Sequence, residues 1–306
     1  MMSEVTLKHR RSRPLPPARV VVLGGQGFIG GAIVERLRRA GAPVNSLGRS
    51  DVDLLADGAT EKLVAILRPD DALVFVSARA PCKTAAMLMD NVRMADAVVQ
   101  ALSQRPVDHV VCISSDAVYA DGPVPLTEFT PAAPTSLHGA MHLVRELLLA
   151  AAVQPQQLAI LRPTLVYGPK DPHNGYGPNR FRRQANKGEP IVLFGLGEER
   201  RDHVHVEDVA EIVWLVLQYS SFGILNVATG EVASFREVAD AVVKAAGKPI
   251  MIGTTSRTSP MPHNGYRPFD ARSTLTAFPG FRYMPLELGI GRAQAAEFPK
   301  NMAADR

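Results

Sequence analysis

Seven residues, Gly24-Gly25-Gln26-Gly27-Phe28-Ile29-Gly30, constrain this chain more than any other stretch. They follow a β-branched run, Val20-Val21-Val22-Leu23, and open a segment, Phe28–Ala40, in which Ile29, Ile33, Val34 and Leu37 share one helical face. Gly41 closes that segment. In a strand, glycine turn and amphipathic helix in succession, the backbone approaches a pyrophosphate and the helix N-terminus meets its charge. A glycine triplet alone says little. With both flanks present it points to a nucleotide cofactor held by Gly24, Gly27, Phe28, Ile29 and Gly30. The competing explanation is a tight turn with glycine packing.

The first half continues this alternation. Short apolar runs at Val44–Leu47, Ala72–Val76, His109–Ile113 and Leu158–Leu161 read as strands, and Glu61–Leu67, Asn91–Ser103 and Ser136–Ala152 as helices. The pattern predicts an α/β fold, a doubly wound parallel sheet of Rossmann type covered on both faces. Beyond Gly168 the regularity weakens. Residues 169–180 are loop chemistry, Val209–Gln218 and Phe235–Ala246 are helical, Ile224–Val227 is a strand, and 247–268 is rich in Pro, Gly and Ser.

The net charge of +4 raises the question of a nucleic-acid surface. The whole excess lies in residues 1–19, where Lys8, Arg10, Arg11, Arg13 and Arg19 face Glu4 alone, so the remaining chain is neutral and no basic groove organises it. Residues 1–18 are expected to form a basic disordered tail, its basic stretch followed by Pro14, Pro16 and Pro17 rather than by the apolar core of a signal peptide. No apolar run approaches a membrane span. Cys82 and Cys112 form no paired or metal-like motif, which suits the reducing cytoplasm.

Dinucleotide sites commonly place an acid at the end of the second strand for the ribose. Here that region reads Ser46-Leu47-Gly48-Arg49-Ser50, with glycine in the acid's place and an arginine next, a combination that favours NADP over NAD. Asp53 is positioned for the adenine amino group, and Ser77, beyond the Ala72–Val76 strand, is a further cofactor contact.

The chain resembles the extended short-chain dehydrogenase/reductases, the NAD(P)-dependent epimerase/dehydratases that act largely on nucleotide-sugars. The resemblance covers roughly residues 19–290 and rests on an ordered set of segments: the glycine loop; Asn91-Val92; Ile113-Ser114-Ser115-Asp116-Ala117-Val118-Tyr119; Thr127-Glu128 through Pro131 and Pro134; Leu161 through Pro169; Arg201-Asp202-His203-Val204-His205-Val206-Glu207-Asp208-Val209-Ala210, similar to RDFVHVDDVA; and Asn226-Val227-Ala228. It implies a dinucleotide-binding domain (19–168 plus about 202–228), a small interleaved substrate domain (about 169–201 plus 229–306), and a homodimer formed through two helices.

The resemblance also implies a hydroxyl residue followed by YxxxK. Ser115 holds the hydroxyl position, where the alternative is a serine capping local backbone. The YxxxK segment instead reads His138-Gly139-Ala140-Met141-His142. A tyrosine, with a pKa near ~10, needs a neighbouring cation to exchange a proton at neutral pH, whereas an imidazole near ~6.5 does not. The reading is therefore His138 as acid/base, Ser115 as its partner on the substrate oxygen, and His142 one turn on, toward the cofactor ribose. Tyr119, Asp116 and Tyr167 are alternative acids, and a site that binds without catalysis is the other outcome. The i, i+4 histidines have no intervening acid and no nearby third ligand, so no metal is expected.

On the substrate side, Arg201 matches a family arginine that contacts a diphosphate, a geometry that suits its forked donors; an ion pair with Asp208 or Glu207 is the alternative. Asn179, Phe181 and Arg267 are further candidate contacts. Leu165 departs from an asparagine common among nucleotide-sugar enzymes. The expected activity is epimerase/dehydratase-type hydride transfer on a nucleotide-sugar. The alternatives are an NADPH-dependent reductase of a keto-sugar or related carbonyl, and a silent NAD(P)-binding sensor.

Overall fold

The computed structural model describes residues 6–298. In chain order the elements are β1 (Leu7–His9), β2 (Arg19–Leu23), α1 (Phe28–Arg39), β3 (Val44–Leu47), α2 (Ala59–Ile66), β4 (Asp71–Phe75), α3 (Ala85–Gln104), β5 (His109–Ile113), α4 (Leu137–Ala152), β6 (Leu158–Pro163) and β7 (Leu165–Tyr167). There follow α5 (Pro178–Lys187), β8 (Ile191–Phe194), β9 (Arg200–His205), α6 (Val206–Tyr219), β10 (Ser221–Val227), β11 (Val232–Ser234), α7 (Phe235–Ala246), β12 (Ile252–Thr255), β13 (Tyr266–Arg267), α8 (Arg272–Ala277) and α9 (Leu286–Glu297).

The main sheet has seven strands in the order β1-β10-β6-β5-β4-β2-β3, parallel except for β1. Alternate residues of its buried strands feed two cores. Val20, Val22, Val74 and Val111 pack under α1 and α6, and Val21, Leu23, Leu73 and Phe75 under α2, α3 and α4. Strand order reverses between β2 and β4, which leaves a crevice at their carboxyl ends. Over that crevice lie a small sheet of β11, β9, β13 and β7, a β12–β8 pair, and a third core in which Phe181, Ile191, Phe235 and Ile290 join α5, β8, α7 and α9. The junction expected at 201/202 falls inside β9, which runs unbroken through it.

The expected tail needs correction over the described residues. Leu7–His9 pairs antiparallel with β10, opposite Ser221–Gly223, and Leu7 is buried in the main core. Arg10 grips Asp108 through both terminal nitrogens (3.1 and 3.0 Å), and Arg19 pairs with the buried Asp71 (2.6 Å). Of the basic residues that suggested a solvated arm, Arg10, Arg11 and Arg19 meet carboxylates at the ends of the sheet, whereas Lys8 and Arg13 are exposed. Residues 1–5 of that expectation lie outside the described residues. No helix among the described residues is long and apolar enough to cross a membrane.

Candidate active site

A cleft of about 1020 Å³ opens at the carboxyl ends of β2, β4, β5 and β6. Gly24, Gly27, Phe28, Ile29, Gly30, Arg49, Asp53 and Ser77 line one part of it, and Ser115, His138 and His142 another.

The glycine loop is shaped by close approach. Gly24 has a φ of +88°, and a Cβ there would stand 2.8 Å from the Ser77 amide nitrogen. A Cβ on Gly30 would lie 2.1 Å from the Gly24 carbonyl oxygen, so the first turn of α1 sits directly on the loop. Side chains of Thr84, Ser136, His205 and Ser234 cap α3, α4, α6 and α7; α1, like α2, α5, α8 and α9, has no side-chain cap, and it starts at Gly27, on the cleft, with no acid in its first turn. Its first amide donors and the positive end of its dipole therefore face the cleft, as an anion requires. These features fit the phosphates of a dinucleotide.

Arg49 stands at the rim, 82% exposed, and its Nε donates to Asp53 Oδ2 at 3.0 Å. The Leu55 amide and Arg49 hold the Asp53 carboxyl below the usual carboxylate range. The two residues expected to serve the adenosine thus bind each other through Arg49 Nε.

The other part of the cleft is built by β5 and α4. Ser115 ends the strand segment and caps the short turn Asp116–Val118: its Oγ accepts from the Ala117 amide at 3.2 Å. The capping alternative is therefore present, on a side chain that also lines the cleft. Ser136 caps α4 by accepting from the Gly139 amide, and a Cβ on Gly139 would meet the Ala117 carbonyl oxygen at 2.0 Å. Only glycine allows α4 to press this close to the Ser115 turn, which brings His138 into the same cleft as Ser115.

His138 and His142 present their rings edge to face, 4.8 Å between centroids. The Cys82 amide donates to His138 Nδ1 (3.4 Å), and Arg145 Nη1 donates to His142 Nδ1 (3.2 Å). Burial lowers the pKa of both rings; Asp116 opposes it at His138, while Arg145 reinforces it at His142, which is held well below the usual histidine range. The alternative acids Tyr119, Asp116 and Tyr167 also line the cleft, and each is engaged by a partner within the protein. Tyr119 donates to Asn226 (2.8 Å), accepts from Arg162 (2.8 Å), and is pushed up to about 12 by burial. Asp116 accepts from Arg267 (3.1 Å), and the Tyr167 hydroxyl faces the Leu286 carbonyl. Among the described residues no three His, Cys, Asp or Glu side chains converge as a metal set.

Two substrate-side expectations change, and a third side chain, Asn179, keeps its place on the cleft wall. Arg267 does not line the cleft. It is 1% exposed and donates to Asp116 Oδ2 (3.1 Å), Asp121 Oδ1 (2.8 Å) and the Asp116 carbonyl (2.8 Å), so two carboxylates use the charge meant for a phosphate. Phe181 is buried in the third core rather than against a ligand. Asn179 reaches the cleft wall, but its amide staples the preceding loop, accepting from the Gly168 amide and donating to Asp171. Arg201 does line the cleft, and its partner is Glu199 (3.3 Å) rather than Asp208 or Glu207.

The cleft also holds residues the sequence reading did not single out, His173, His203 and His263 among them. His203 is buried, neither ring nitrogen has a partner, and burial lowers it to about 3. Its signal was visible, since histidine stands where the resembling motif has phenylalanine. His263, in a turn with left-handed backbone at His263, Asn264 and Gly265, has no such local signal.

Fold and cleft together define a dinucleotide-binding α/β enzyme. Residues 20–228 match the NAD dependent epimerase/dehydratase family, and the chain belongs to that family. A rice protein named "Putative GDP-L-fucose synthase 2" is 29% identical over 257 residues, 75% of this chain and 73% of its own length. Among solved structures, the UDP-glucose 4-epimerase of Thermus thermophilus, in complex with NAD, is similar with a TM-score of 0.79 and 28% identity, covering 92% of this chain and 99% of that one. A GDP-L-fucose synthetase from Naegleria fowleri shares the fold with a TM-score of 0.80 at 18% identity, over 100% of both chains. The same synthetase has also been solved bound to NADP.

Proposed function

We propose that this chain transfers hydride between NAD(P) and a carbon of a nucleotide-sugar in the epimerase/dehydratase manner, with His138 exchanging the proton of the reacting oxygen. The observation that carries this is the joining, in one cleft, of a glycine cradle with an uncapped helix to a Ser115–His138–His142 group. The nicotinamide supplies the hydride acceptor or donor. Ser115 and His138 hold the substrate oxygen between hydroxyl and imidazole, His142 serves the cofactor ribose, and Arg201 turns from Glu199 to a diphosphate. A neutral imidazole is suited to this work without the neighbouring cation a tyrosine needs. The working unit is a homodimer through α3 and α4, whose outer faces expose Met89 and Leu147.

Arg49 favours a second reading, an NADPH-dependent reductase of a keto-sugar or related carbonyl. One experiment separates them. The purified protein is denatured, the released nucleotide is identified by absorbance and mass, and the native protein is then assayed with nucleotide-sugars with and without added NADPH. Retained NAD with turnover and no added cofactor supports the epimerase-type reading; turnover that consumes NADPH supports the reductase. His138→Ala lowers kcat by roughly 10²–10⁴ under either reading. Unchanged turnover in that variant removes His138 from the chemistry, and bound cofactor without turnover on any nucleotide-sugar leaves a binding protein.

A further inference from the structure

Each histidine of α4 has its Nδ1 faced by a donor that cannot reverse its role. For His142 the donor is Arg145 Nη1 at 3.2 Å, part of a guanidinium that stays protonated in proteins. For His138 it is the Cys82 peptide N–H at 3.4 Å, and a peptide nitrogen is equally one-way. An imidazole nitrogen that accepts carries no proton, so the neutral ring carries its proton on Nε2. A doubly protonated ring would set N–H against N–H at both places.

We propose that Arg145 and the Cys82 peptide lock His142 and His138 as neutral Nε2–H tautomers, so that the cleft presents two fixed imidazole donors beside the Ser115 hydroxyl. The inference rests on the hydride-transfer reading and deepens it. The resting site is set to hold an acceptor oxygen, such as a carbonyl, by a hydrogen bond; giving up the Nε2 proton outright would leave an imidazolate, so proton exchange at His138 in either direction requires the ring to leave the lock. Abstraction by His138 Nε2 first requires the other tautomer, which turns its Nδ1–H against Cys82.

Arg145 is built for this positioning role. It is 1% exposed, lies over the Phe75 ring at 4.4 Å, and donates to the carbonyls of Ile113 (3.3 Å) and Ser77 (3.1 Å). The neighbouring carboxylate, Glu146, makes its hydrogen bonds to Arg162 (2.6 Å) and Ser114 rather than to Arg145. One guanidinium thus ties the cradle residue Ser77 to the catalytic helix and leaves its charge directed at His142. The other ionisable groups around the pair come from separate elements. Asp116, on the turn after β5, is the carboxylate that favours a charged His138, but Arg267 engages it; His173, from the loop before α5, opposes that charge. Burial acts on both rings in the direction of the neutral form.

The test reads the rings directly. Protein labelled with ¹⁵N-histidine gives long-range proton–nitrogen correlations that distinguish the two neutral tautomers and the cation, and His138→Gln and His142→Gln variants assign the signals. Both rings show the Nε2–H pattern, unchanged between about pH 5 and 8, where an ordinary histidine titrates. In Arg145→Met, His142 mixes tautomers or gains a titration within that window, and Arg145→Lys restores the single pattern. A protonated Nδ1 on either ring of the native protein in that window overturns the proposal, as does an unaltered His142 signal in Arg145→Met. If Arg145→Met does not fold, the native spectrum decides. The spectra are independent of turnover. Locked tautomers in a protein inactive on nucleotide-sugars uphold the lock and sink the function, whereas an active enzyme with unlocked rings does the reverse.

Discussion

Arg49 and Asp53 hold each other at the mouth of the cleft through the Arg49 Nε. An exposed pair of this kind is weak and screened by salt, and a 2′-phosphate with its greater charge can displace the carboxylate. Arg49→Ala is expected to weaken NADP binding by about 10- to 100-fold, the value of a hydrogen bond to a charged group, and to leave NAD binding nearly unchanged. Titration of both dinucleotides at fixed ionic strength checks this, and equal losses for both would remove Arg49 from phosphate recognition. The residues legible in the sequence are those whose partners lie nearby. The glycine loop, Ser115 and the two α4 histidines declare themselves through short spacings. Arg267 did not, because its carboxylates, Asp116 and Asp121, lie 151 and 146 positions away and nothing local reveals that its charge is used.

At the scale of the element, α1 is tightly specified by its contact with the glycine loop. Gly30→Ala drives a methyl into the Gly24 carbonyl, with neither side of the contact a flexible side-chain end. The variant is expected to lose about 1–3 kcal/mol of stability and most of its dinucleotide affinity, read by denaturant unfolding and cofactor titration. A second element-scale prediction concerns β5. His109 is buried, donates to the Ser221 carbonyl on β10 (2.7 Å), and is lowered by burial from the usual 6.5 to about 4. Below pH 6.5 the unfolded chain takes up this proton before the folded one does. The stability that His109 confers is whole above that value and is lost as pH falls to about 4, on the order of 3 kcal/mol. Unfolding measured across this range loses less stability in His109→Gln than in the native protein; identical curves would sink the assignment. Elements followed the sequence where their periodicity was long enough to read. The Phe235–Ala246 helix and the His109–Ile113 strand match their expected limits, whereas α3 begins at Ala85, six residues before the predicted Asn91, from the cap at Thr84. The three-residue strands β7 and β11 carry no readable period, and long-range pairing with β9 makes them strands.

For the whole molecule, the class of fold and the cleft follow from one arrangement, a parallel sheet whose strand order reverses beside a glycine turn. What the sequence concealed was the fate of the N-terminal charge, because an arginine that meets Asp108 about a hundred residues on looks the same on paper as one in solvent. Deleting residues 1–9 removes β1 and the buried Leu7 side chain, and is expected to cost about 2 kcal/mol of stability by urea unfolding while leaving cofactor affinity unchanged. Unaltered stability would return this segment to the status of an appendage. β1 also determines how the molecule meets others of its kind. It covers the first three residues of the seven-residue β10, Ser221–Gly223, and sets the exposed Lys8 at the middle of the new margin there. Leu7–His9 are expected to shield this part of the edge from pairing between molecules, and the shortened protein should precipitate sooner than its loss of stability alone accounts for.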